Sequence, residues 1–158
     1  MRASRILVAL TLAAGAQVLL AAAAPGAAGV LDFFLLLTVY YAVTTNQMTG
    51  MLVGTGAGLI QDALLANLVG PSAFAKALIG FLVGRLGMRF ELQQTLPHLA
   101  CVAGATLLQV ATWHALHLVL GLPAEVPPTG VIFAQVATNS VAGTIAFTLV
   151  RWRKRKKP

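Results

Sequence analysis

The chain has 158 residues, of which 58% are hydrophobic and only 9% charged, with a mean hydropathy of +0.85. A soluble domain carries about a quarter charged residues, so a water-facing surface cannot be built from this composition. The net charge of +7 does not point to nucleic acid, because six of the eleven basic residues crowd into the last eight positions, Arg151 to Pro158, and two more are Arg2 and Arg5. Terminal clusters of that kind act as topology signals and as contacts for anionic lipid headgroups. The length suits a single transmembrane domain, residues 1–158, ending in a short basic cytoplasmic tail, 151–158.

The first apolar run, Ile6 to Ala24, follows a basic start and ends in alanines. A cleavable signal peptide has the same layout, but its apolar part is usually 7 to 15 residues and the chain behind this run is itself apolar, which favours retention as a first helix. Five further runs follow, at about Val30–Thr45, Gly50–Leu68, Ser72–Met88, Thr95–Leu120 and Gly130–Val150. Each approaches the ~20 residues that cross a ~30 Å hydrocarbon core. Pro25, Pro71, Pro97, Pro123, Pro127 and Pro128 fall at or between the runs, where a lost helix hydrogen bond costs little. Six crossings place both termini on one side; with that side cytoplasmic, ten of the eleven basic residues lie inside and Lys76 alone lies outside.

Gly50, Gly54 and Gly58 recur every fourth residue on the third run, and Gly80 and Gly84 do so on the fourth. Small residues at this spacing let helix backbones approach until dispersion contacts and weak hydrogen bonds hold them. The same G-T-G-A-G stretch is not a nucleotide-binding loop, since no strand precedes it. Asp62 extends the glycine row by one more step, and an ionisable group on a crossing helix must face protein or water. It is the leading functional candidate, with a structural, paired carboxylate as the other reading. Asp62 and Lys76 are each seven residues from position 69, the middle of the turn between the runs, so the sequence predicts that they approach each other near the outer end of the bundle, within salt-bridge or water-bridged range.

Polar groups on the last two runs, Gln109, Gln135, Thr138, Asn139, Ser140 and Thr144, are expected to hydrogen-bond between helices; a polar transport path is the alternative. His114 and His117 share a helix face, but His98 is sixteen residues away, about 24 Å along the same helix, so no compact three-histidine metal site follows. Trp113 beside them suits a headgroup-level helix end. Cys101 is the only cysteine, which removes intrachain disulfides. Neither a catalytic constellation nor a cofactor motif can be argued, and the expectation is a protein that is not an enzyme.

From Asp32 to Glu91 the text becomes specific: D-F-F-L-L-L-T-V-Y-Y-A, then G-M-L-V-G-T-G-A-G-L-I-Q-D, then G-P-S-A-F-A-K-A-L-I-G-F-L-V-G-R-L-G. In content, order and spacing this resembles MreD, the rod shape-determining membrane protein family of bacteria. The resemblance implies a non-enzymatic subunit of the cell-elongation machinery that works beside MreC, the actin-like MreB, the glycosyltransferase RodA and its partner transpeptidase. It also implies an all-α six-helix fold similar to the substrate-binding S components of energy-coupling-factor transporters. Asp62, with Gly54 and Gly58 before it and Gly70, Gly80 and Gly84 after it, carries the family pattern. Gly50 and Lys76 join these as expected packing or partner-binding positions, and Arg151, Arg153, Lys154, Arg155, Lys156 and Lys157 as contacts for anionic lipid or a cytoplasmic partner. A small-molecule-binding transport subunit is the competing function; it calls for polar residues converging from outer loops, where the sequence offers chiefly Asp32, Asn67 and Glu125.

Overall fold

A computed structural model describes residues 2–65, 69–92, 94–121 and 127–155, with backbone alone at 2, 3, 154 and 155. Among these residues the fold is entirely helical: α1 Arg2–Ala23, α2 Pro25–Ala28, α3 Phe33–Thr44, α4 Gln47–Leu64, α5 Pro71–Gly87, α6 Thr95–Val119 and α7 Thr129–Arg155. The helix starts are locally encoded. The Asp32 carboxylate accepts the Leu35 N–H at 2.9 Å and the Asn46 side chain accepts the Thr49 N–H at 2.8 Å, each replacing a bond the first turn lacks. Pro25 and Pro71 occupy the first positions of α2 and α5, where a missing N–H costs nothing.

The twelve-residue α3 is the hub, packing against α1, α4, α5, α6 and α7. Leu35, Val39, Ile79, Val83, Val102 and Phe147 form the main core between α3, α5, α6 and α7, while Leu10, Phe34 and Ala57 form a second between α1, α3 and α4. The molecule is apolar outside as well: Leu12 is 69% exposed, Leu118 74% and Phe133 71%. Exposed leucine and phenylalanine on every flank are what a hydrocarbon solvent selects.

Four segments are long and apolar enough to cross a membrane: Ser4–Ala23, Pro25–Thr44, Thr95–Val119 and Thr129–Arg153. The central pair α4 and α5 does not reach that measure; α5 has only 17 residues. Helix α2, a single turn between the first two runs, has no counterpart in those runs. At the basic end, α7 continues as helix through Arg151 to Arg155. Lys156 and Lys157, like Asn67 and Glu125, lie outside the described residues.

Candidate functional site

Helices α4 and α5 are antiparallel and zipped by glycine. A side chain at Gly50 would overlap the Gly80 carbonyl, and one at Gly80 would overlap Gly50 in return. Beyond them, Gly54 lies on the Lys76 carbonyl, Gly58 on Ser72 and Ala73, and Gly84 on Gln47. All five glycines are therefore at backbone-to-backbone contact, as their spacing implied, and the approach leaves no room for a methyl group.

These contacts fix the register, and it is not the one a symmetric turn implies. Gly54 is opposite Lys76 and Gly58 opposite Ser72, so α4 runs on past the start of α5. Asp62 is eight residues beyond Gly54, about 12 Å further along the helix. The expected Asp62–Lys76 pair does not form. Asp62 instead accepts the backbone N–H of Gly70 at 2.8 Å, fully buried against the turn. Gly70 has φ +131, which excludes a residue with a Cβ at little cost, and the carboxylate sits at the positive end of the α5 dipole. Asp62 is thus a buried acceptor for the backbone that leads into α5.

Lys76 pairs with Asp32. Its Nζ is 2.9 Å from Asp32 Oδ2 and donates to Gln109 Oε1 at 2.8 Å, with no exposed surface left. The same Asp32 oxygen accepts Gln109 Nε2 at 2.9 Å and Gln61 Nε2 at 3.3 Å. The Asp32 N–H donates to Asn139 Oδ1 at 3.0 Å, and Asn139 Nδ2 reaches Thr106 Oγ1 at 3.5 Å. The Asp32 carboxylate thus caps α3 and ties it to α4, α5 and α6, and the Asp32 backbone N–H adds the link to α7. Burying two charges costs several kcal/mol each; here the Gln109 and Gln61 amides and the Leu35 N–H add hydrogen bonds to the mutual attraction that offsets it. From the sequence, Asp32 is one of the few polar groups expected at the outer loops, with no partner assigned. The available signal was arithmetic: a lysine in an apolar run needs an acid, and the chain has just four.

Beside the pair lies a cavity of about 440 Å³ whose polar wall comprises Gln17, Asp32, Gln61, Gln109, Gln135 and Asn139. Its roof is the segment from α2 to Asp32. Gln17 Nε2 donates to the carbonyls of Ala28 and Leu31 at 3.2 and 3.3 Å and its Oε1 accepts the Phe33 N–H at 3.3 Å, while Gln135 Nε2 donates to the Gly29 carbonyl at 2.8 Å. Polar groups do converge at this end, contrary to what the outer loops alone suggested, because they come from helix side chains. Gln109, Gln135 and Asn139 bond between elements as expected; Thr138 is exposed, and the buried hydroxyls of Ser140 and Thr144 have no hydrogen-bond partner among the described residues.

The opposite end gathers the bases. The Tyr41 hydroxyl donates to the Arg5 carbonyl at 3.5 Å, Arg89 and Arg151 border one pocket, and the Arg151 guanidinium lies 5.7 Å from the Phe147 ring centroid. Arg153 is exposed. His98 stacks on Phe147 at 4.1 Å, and His117 stacks on Trp113 at 3.6 Å with His114 edge-on to the same ring at 5.4 Å. No group of three or more metal-ligating side chains occurs among the described residues.

Helices of spanning length, apolar flanks, basic residues at one end and a buried ion pair define an α-helical membrane protein. Within that class, the chain belongs to the MreD family: the family of rod shape-determining protein MreD matches residues 4–152. No curated protein and no solved structure matches it. Family membership assigns it a rod-shape-determining role in a family of membrane proteins not known as enzymes.

Proposed function

We propose that this chain is a non-enzymatic scaffold of the bacterial cell-elongation machinery in the cytoplasmic (inner) membrane. It crosses six times, with both termini cytoplasmic, in an arrangement like that of the S components. It binds MreC directly and, with RodA and its partner transpeptidase, couples MreB filaments inside to peptidoglycan synthesis outside. The observation that carries this reading is the family match over residues 4–152. Two features support the topology. The six long helices follow one another through short connections, as alternating crossings would. Arg5, Arg89 and Arg151 lie at the end away from Asp32, so a cytoplasmic basic end satisfies the charge rule, and the Lys76 charge left outside is cancelled by Asp32. Anionic lipid would meet the basic turn of α7, each base near such a surface contributing about 1 kcal/mol.

Co-isolation with MreC from membranes, together with a reporter fused after Pro158, tests the proposal. MreC should be retained and the reporter should be active only in the cytoplasm. A periplasmic reporter signal, or unaltered rod shape after depletion of the chain, would sink it. A second reading, a small-molecule transport subunit, draws on the polar cavity beside Asp32; a soluble small ligand co-purifying in place of MreC would favour it.

A further inference from the structure

A groove of about 570 Å³ opens between α5 and α6, with Ile79, Leu82 and Leu86 on the α5 wall and Pro97, Cys101 and Leu108 on the α6 wall. Ala100 and Gly104, both exposed, line it on α6, and the exposed Ala111 and Ala115 continue their row along the same face of the helix. A side chain at Gly104 would meet nothing within 4 Å, the reverse of the hairpin glycines. From Gln94, at the basic end, to Leu108 the groove follows about 21 Å of α6 at 1.5 Å per residue. Charge sets it apart from its surroundings. Glu91 stands exposed at its basic end, and no basic residue lines it among the described residues. Arg89 and Arg151 line the neighbouring pocket, which Glu91 also borders. The Glu91 carboxylate accepts the Gln94 amide at 2.6 Å and makes no ion pair among the described residues.

We propose that the α5–α6 groove is the docking surface for a partner protein's single membrane-spanning helix, laid along α6 with a lysine or arginine of its cytoplasmic flank set against Glu91. Where the scaffold reading above holds, on which this docking rests, that partner is MreC. Charge complementarity chooses the occupant. A helix that crosses once carries its basic residues on the cytoplasmic side, so the acid at the basic end of the groove meets the charge such a helix brings. The same acid repels the phosphate of an anionic lipid. Packing agrees. Glycine inside a helix costs about 1 kcal/mol relative to alanine, and no contact within this chain uses the space that Gly104 leaves. A second backbone approaching Ala100 and Gly104 does use it, and gains the dispersion contacts that hold helices together in lipid. Helix α1 has an open glycine too, Gly15, but its basic end carries Arg5, which repels a basic flank.

For the test, the full chain is co-expressed with MreC and carries a photo-cross-linking residue at position 104 in intact membranes. It should attach MreC, at a site that maps to an apolar stretch flanked by lysine or arginine, whereas the same residue at position 15 should attach none. Gly104→Leu fills the groove from an open position and should cut co-isolation of MreC about tenfold, equivalent to about 1.4 kcal/mol, with the thermal unfolding midpoint unchanged. Ala100→Leu, also from an exposed position, provides a second filling variant should the first unfold. Glu91→Lys should cut co-isolation about fivefold, and glutamate in place of the flanking base of MreC should restore it. Attachment of phospholipid alone at position 104, attachment of MreC at position 15 in its place, or co-isolation indifferent to all three variants would overturn the docking surface and leave the scaffold reading standing. A wild-type chain that retains no MreC would overturn both.

Discussion

The α4–α5 hairpin and the α1–α7 pair put the same ingredients to opposite uses. In the hairpin, glycines bring two backbones into contact, although these two helices are not among the membrane-span candidates. Helices α1 and α7 are spanning-length and apolar and carry small residues too, yet among the described residues their backbones stay apart. Hydrophobicity therefore decides that a helix resides in the membrane, but gives it no preference for another helix over lipid; close contact needs small residues aligned in register.

Removing charge from one side of the buried pair should break the hairpin region most severely. Lys76→Met leaves the Asp32 carboxylate buried without its counter-charge, and a loss of about 3–5 kcal/mol in a detergent unfolding titration is expected. Adding Asp32→Asn should recover most of it, since losing both charges costs less than losing one. A double variant worse than either single one would show that the pair contributes net stability by itself.

Alanine at the glycine contacts comes next. Gly54→Ala and Gly80→Ala each place a methyl group inside a facing backbone and should cost about 1–3 kcal/mol, the range for overpacking. Ala142→Leu, half-buried on α7 beside a cavity, should stay within about 0.5 kcal/mol by the same titration. Equal effects at the two places would erase the distinction between a packed and an unfilled helix boundary.

A smaller loss, about 1–2 kcal/mol, is expected from Asp62→Ala, which removes the acceptor for the Gly70 N–H at the start of α5. Adding Lys76→Met to that variant should bring no recovery, because the two residues are not partners. Recovery on adding it would restore the symmetric-turn register and contradict the Gly54–Lys76 contact.

Much of this architecture was legible because it is local. Apolar runs, proline punctuation and glycine spacing each depend on a few neighbouring residues, and the helices begin and end within a few positions of where those signals put them. The glycine row was also read correctly as a packing surface, since a fourfold spacing puts all its members on one face whatever that face meets. Asp62 and Lys76 were misjoined for a reason of geometry. Their depth depends on how far α4 overshoots α5, and a turn's sequence midpoint need not be its spatial midpoint.

What the sequence by itself determined is the solvent this chain requires, the placement of its helices and the face along which two of them close, because hydropathy and periodicity act over short stretches of chain. Only the tertiary structure decided which charge meets which. Asp32 and Lys76 are 44 residues apart, Asp32 and Asn139 are 107, and nothing within either stretch specifies the meeting. The choice was made by packing: once the glycines set α5 against α4 and α3 lies at the hub, Lys76 is buried where Asp32 and Gln109 are the groups within reach, and the cost of leaving an ammonium unpaired selects that partnership.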